Sequence, residues 1–207
     1  MRSIPTDDGA FERALAQVKA ARPRPEFELD EAPAPQRLAP SAIALTAAAT
    51  DPDSDADTGT GRFVLLHDPD GVDEWDGSFR VVVFVRASLE TELVDDPLLH
   101  DVGWSWLTEA LDLRGCHVTQ LGGTVTRTAG RSFGTLLDRP AEGFVEIRSS
   151  WTPTEGADGV LDDLGRHVEA WIDVLAQACG LHPISPGVHD GEIALAQVTP
   201  RRRHVRR

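Results

Sequence analysis

Residues 78–115 read SFRVVVFVRASLETELVDDPLLHDVGWSWLTEALDLRG, and the way this stretch divides decides the fold. Phe79, Val81, Val83 and Val85 alternate with Arg80, Val82, Phe84 and Arg86. A period of two in β-branched and aromatic residues predicts a strand. Its first face is fully apolar and is expected to meet helices. The second is apolar at its centre and flanked by arginines, so it is either a partly covered face or a binding face. A helix then follows between clear end signals: Asp96 can cap it, Pro97 suits its first turn and Gly115 can take the left-handed conformation after its last. At 100° per residue, Leu98, Leu99, Val102, Gly103, Trp106, Ala110 and Leu113 form one broad stripe, with Asp101, Ser105, Thr108 and Asp112 opposite. Trp104 lies off that stripe, near His100 and Leu111. It is either a second core contact or an aromatic anchor for a partner.

Working outward, the elements on the N-terminal side are a helix, two strands and the connections between them. Phe11, Ala14, Leu15 and Val18 are spaced for one helix face, starting near Asp7 or Asp8 and ending before Pro23. The proline-dense segment 23–40 is expected to run as extended, polyproline-like backbone, with Phe27, Leu29 and Leu38 available to pin it to the body. Ile43 to Ala49 is read as a strand, and Asp51 to Gly61 as an acidic, mobile loop that lacks the ligand spacing of a calcium-binding loop. Arg62 to His67 is a strand. Asp68-Pro69-Asp70-Gly71 carries turn chemistry, which makes 62–86 an antiparallel hairpin with Trp75 at its tip.

On the C-terminal side, His117 to Thr128 reads as a strand, and Gly122-Gly123 inside it suggests a bulge or a close backbone approach. Gly130-Arg131-Ser132-Phe133-Gly134 matches G-x-S-x-G literally. A nucleophile elbow needs a helix after the serine, and Asp138-Arg139-Pro140 leaves no room for one. This is a chance match, expected as a turn beside a short strand near Ser132–Leu136. Phe144 to Trp151 is the last strand, with Glu146 and Arg148 placed for cross-strand charge pairing. A helix is expected from about Val160 to Cys179, with Leu161, Leu164, Val168, Trp171, Leu175 and Ala178 inside, Asp173 outside and His167 at the boundary.

Composition sets the bounds. The chain has 207 residues, 41% of them hydrophobic, which suits one α+β domain over 1–183 followed by a tail at 184–207. The expected architecture is an antiparallel sheet of five to six strands with three helices, mainly on one face. Cys116 and Cys179 stand in no metal-like or redox-like spacing, and no apolar run is long enough to cross a membrane, so a cytoplasmic protein without cofactor or metal is expected. The formal charge of −14 argues against nucleic-acid binding through the folded body, leaving only the basic end, Arg201–Arg207, for such contact.

With these segments placed, RPEFELDEAPAPQRLAP, GRFVLLHDPDG, EWDGSFR, DPLLHDVGWSWLTEAL, GGTVTR and EIRSSWTP together resemble an uncharacterised actinobacterial domain-of-unknown-function family from about Ala10 to Pro183. The W-S-W helix is the most specific piece. The resemblance implies an actinobacterial cytoplasmic protein and carries over no catalytic or ligand residues. The succession helix, three strands, helix, two strands, helix is also similar to that of type III secretion chaperone-like domains. Those are small, acidic, often dimeric, non-enzymatic holders of partner chains. The strand near Ser132–Leu136 departs from that order.

The sequence therefore points first to a non-enzymatic protein-binding or chaperone-like module. Trp104, His100, Arg80, Phe84 and Arg86 are its candidate partner contacts, and a homodimer is possible. The rival is an enzyme or small-ligand protein whose pocket gathers His67, His117, Arg127 and Arg148 on the sheet.

Overall fold

The hairpin and the tryptophan helix are both present, and the sheet grows outward from them. The computed structural model describes residues 8–50, 57–89, 93, 95–139, 142–154, 161 and 163–181. The order is α1 (Asp8–Lys19), β1 (Glu28–Ala32), β2 (Ser41–Thr50), β3 (Asp57–Val72), β4 (Gly77–Ser88), α2 (Leu99–Leu113), β5 (Val118–Gly130), a 3-10 turn (Gly134–Leu136), β6 (Glu142–Pro153) and α3 (Leu164–Ala178). Six strands make one open sheet, β1-β2-β3-β4-β6-β5, with every pairing antiparallel. The α+β class and the strand number are as the sequence predicts. The sixth strand is not the one expected near Ser132, where a 3-10 turn stands instead. It is β1, inside the proline-rich segment. With β1 in place, four strands precede α2 rather than three, so the secretion-chaperone order is not reproduced.

The three helices of the described residues all cover one face. Phe63, Leu65, Phe79, Val81, Val83, Val85, Val145, Ile147 and Trp151 point to that side and are almost fully buried. α3 lies against β3 and β4, α2 against β5 and β6, and α1 against α3. α3 is enclosed nearly all round, which corrects two expectations. His167 is fully buried rather than at a boundary: its Nδ1 accepts the Trp151 Nε1–H at 3.0 Å. Asp173 is buried rather than outside, because α2 covers that flank and brings Arg114 onto its carboxylate.

The helices come close because β3 is stripped of side chains beneath them. An added Cβ on Gly61 would lie 2.8 Å from Trp171 Cζ2, and one on Gly59 would lie 2.3 Å from Cys179 Sγ. Residues 57–61, expected in a loop, are therefore strand, and their glycines serve packing; 51–56 lie outside the described residues. Over Gly61, the Trp171 Nε1–H donates to the Phe84 carbonyl at 3.2 Å. Gly61→Ala is expected to lower stability by about 1–3 kcal/mol, because a rigid indole must move aside. Strand propensity alone predicts no such loss. A urea midpoint at or above wild type would refute the packing role.

Smaller differences have local causes. The reversal between β3 and β4 falls at Asp73–Asp76, where the Asp76 N–H bonds the Val72 carbonyl and Asp76 has φ 55°. Asp68–Gly71 instead makes a strand irregularity, with the Asp70 N–H on Asp68 Oδ1 and Gly71 at φ 74°. The helix expected from Val160 begins at Leu164, where Asp163 Oδ1 accepts the Gly165 N–H. α2 begins at Leu99, and Asp96 acts just before it, accepting the Leu98 N–H at 2.8 Å. The buried side of α2 is Leu99, Gly103, Leu107, Ala110 and Leu111, so Leu98, Val102 and Leu113 of the expected stripe stand exposed. Of the bulge or close approach expected at Gly122-Gly123, the close approach is at Gly123, where a Cβ would lie 2.4 Å from the Arg148 carbonyl; the β5–β6 register shift comes just before the pair, between Thr119 and Gly122, where Gln120 has φ 50°.

Candidate functional site

Among the described residues, no helix lies on the opposite face of the sheet. One end is covered locally. Ala44, Val64 and Leu66 are buried there under Ala32, Ala34, Ala39 and Trp75, so the chain after β1 folds back across β2 and β3. Segment 23–40 thus packs on the body, with Phe27 buried and Leu29 against the core. Leu38, the third expected anchor, is 62% exposed. Arg62 Nη2 ties the segment down by donating to the Pro33 carbonyl at 2.6 Å. Beyond that cover, β4, β6 and β5 carry an open surface.

Register shows what it contains. One row runs Asp30, Thr46, Arg62, Phe84, Arg148, Thr124 across all six strands; the next runs Glu28, Ala48, Thr60, Arg86, Glu146, Thr126. Four arginines therefore share this face: 62, 80, 86 and 148. Glu146 stands between two of them. It takes Arg148 Nη2 at 2.9 Å and Arg86 Nη1 at 3.5 Å. Each of these two guanidiniums also covers a ring, Arg86 over Phe144 at 3.6 Å and Arg148 over Phe84 at 5.5 Å. Contacts of this kind contribute about 0.5–1 kcal/mol at exposed positions and leave the outer faces of the cations available. Further acidic residues of this face are Glu142 at the start of β6 and Glu28 and Asp30 on the β1 margin.

Arg80 is half-buried and meets hydroxyls rather than a carboxylate: Nη1 donates to Thr152 Oγ1 at 3.1 Å and Nη2 to Ser150 Oγ at 2.7 Å. Burial pushes its pKa down from the ordinary arginine value, yet a guanidinium stays charged at neutral pH. Beside Arg86 and Phe144, at the end of the strands, is an open depression of about 450 Å³, rimmed also by Thr128 and Glu142.

The structure divides the partner contacts named from sequence. Arg80, Phe84 and Arg86 share the open face. His100 and Trp104 belong to α2, on the other side of the sheet; His100 is exposed and Trp104 is partly buried against the core. The four residues of the ligand-pocket reading do not converge. His67 is buried on the helix side between Phe11 and Phe79, ring centroids 5.8 and 4.2 Å away. Arg127 lies on the same side and donates to the Asp96 carbonyl at 2.8 Å, fixing the start of α2. His117 is exposed before β5, and Arg148 is on the open face. Arg62, Phe144 and Glu146 belong to the surface and were not among the sequence candidates. Only strand order and register bring them beside Phe84 and Arg86.

Among the described residues no three His, Cys, Asp or Glu side chains are placed to hold a metal ion, and no helix is long and apolar enough to cross a membrane. Burial pushes the Cys179 thiol up, with Thr58 bonding against that trend. No curated protein and no solved structure matches the chain. One family model matches residues 7–189, and the chain accordingly belongs to the family described as Protein of unknown function (DUF3000), as the resemblance in its segments implied.

Proposed function

We propose that this protein is a non-enzymatic binding module that holds an extended segment of a partner protein on its open sheet face. The observation that carries the reading is the row Arg62–Phe84–Arg148 beside Arg86 and Phe144, on a face that no helix of the described residues covers. Planar guanidiniums stacked on rings recognise carboxylates and apolar groups together. Four arginines outnumber Glu146 and Glu142 beside them, which makes this strip locally positive on a chain of charge −14. The favoured occupant is a segment with glutamate and phenylalanine alternating at every second position, so that both fall on one side when extended. A polyphosphate chain fits less well, since the acidic body repels it along its whole length. The ligand-pocket reading has weaker support, because its four residues lie in separate places.

The test is a titration of the full chain with a labelled peptide of that pattern, against a lysine-for-glutamate control and a single-stranded oligonucleotide. Saturable binding of the acidic peptide is expected, weakening with salt. Joint Phe84→Ala and Arg148→Ala substitution is expected to reduce it by roughly tenfold or more. Equal affinity for the control, preference for the oligonucleotide, or indifference to the double substitution would each overturn the reading.

A further inference from the structure

The two edges of the sheet are treated differently. β1 is five residues long and carries Glu28, Asp30 and Glu31, so it is short and charged, as edges protected against further pairing are. β5 is thirteen residues long, and from Gly122 to Gly130 it reads GGTVTRTAG, without proline or lysine. Its one charge, Arg127, is turned to the helix side and bonded to Asp96. On a chain of charge −14 this is a strip without free charge, and among the described residues no strand pairs with its outer edge.

A second observation points to the same edge. Among the described residues the exposed large apolar side chains are Leu38, Leu93, Leu98, Val102, Leu113, Phe133, Leu136 and Leu137. All but Leu38 belong to α2, the approach to it, or the segment just after β5. α2 buries one flank, through Leu107 and Leu111, as it packs beside α3. Its other flank, with Leu98, Val102 and Leu113, is consequently the one on the β5 side.

We infer that a second copy of this chain docks here, β5 pairing antiparallel with β5 across a two-fold axis. The geometry is self-consistent. A Cβ on Gly103 would touch both Val125 of β5 and Ile147 of β6, which are register partners, so α2 runs above the gap between those strands. Strands pair about 4.8 Å apart, so two such helices facing each other across paired β5 edges would lie about 10 Å apart, a helix-packing distance. They run antiparallel, bringing Leu98 of one copy toward Leu113 of the other, with Val102 and Trp106 between. Thr124, Thr126 and Thr128 line the opposite face of the new pairing, where threonine pairs are favourable across strands. A different polypeptide adding a strand would need its own match to this helix flank; the second copy has it by symmetry.

Sedimentation equilibrium of the full chain tests this. Wild type is expected at twice 22.4 kDa, with dimerisation strengthening as salt screens the like-charged bodies, the opposite trend to acidic-peptide binding. Val102→Glu and, independently, Thr126→Lys place like charges across the axis, and each is expected to weaken association roughly tenfold or more. Both alter exposed side chains, and circular dichroism checks that each variant is folded. Amide exchange should show concentration-dependent protection over 122–130. A monomer at every concentration, a dimer indifferent to both substitutions, or protection on β1 instead of β5 would overturn the inference.

Discussion

Trp151→Ala is expected to abolish most of the stability of this fold. Trp151 is fully buried on the helix side of β6, and truncating a buried tryptophan costs about 3–5 kcal/mol. The same change removes the indole N–H that His167 Nδ1 accepts at 3.0 Å, inside α3 and away from water. Because an indole nitrogen only donates, Nδ1 must carry the lone pair here, so the ring is neutral with its proton on Nε2. Depriving a buried acceptor of its donor costs roughly 1–3 kcal/mol more. Trp151→Phe separates the two effects, since it keeps much of the volume and loses the donor. Urea denaturation with an unchanged slope should rank wild type above Trp151→Phe and that above Trp151→Ala. A phenylalanine variant as stable as wild type would mean that the bond to His167 contributes nothing.

Arg114→Ala is expected to be the second most damaging change. Arg114 follows the last turn of α2 and ties it to α3. Nε and Nη2 reach the two oxygens of Asp173 at 2.7 and 3.1 Å, and Nη1 reaches Glu169 Oε2 at 2.7 Å. The Asp173 carboxylate, with Glu169 beside it, raises the Arg114 pKa above its ordinary value against the effect of burial. Removing the cation strands Asp173, whose side chain is 10% exposed, beside Glu169 with no guanidinium between them. The loss should be about 3 kcal/mol, the low end for breaking a buried pair, since the Arg114 side chain itself is 24% exposed. Arg114→Lys keeps the charge without the two-pronged fork and should fall between. Adding Asp173→Leu to Arg114→Ala should recover part of the loss, and a double variant no better than the single would show that the stranded carboxylate is not the cause.

Sequence legibility tracked how local each feature is. β4 is written in its own alternation: Phe79, Val81, Val83 and Val85 are 3% exposed or less, so that periodicity fixed both the strand and its inner face. The close approach at Gly123 and the left-handed Gly115 were legible for the same reason, as both are consequences of missing side chains. The side of α2 was not. Val102 and Leu113 are apolar at the expected spacing, and only the position of β5 at the sheet edge leaves them outside. Asp173 misled because an aspartate looks external until a partner 59 residues away in the chain is known. The candidate surface was half legible. The Arg80–Phe84–Arg86 alternation marked the face of β4, but Arg62, Phe144 and Glu146 join it only through strand order.

The encirclement of α3 also bears on how the chain assembles during translation. The helix that fills the centre, with Trp171, Ile172 and Leu175 fully buried, is the last element in chain order among the described residues. A ribosome releases β3 and β4 long before residues 164–178 emerge, so their oily side must wait without its permanent cover. Such late closure favours slow folding and gives newly made chains a period of vulnerability to clumping.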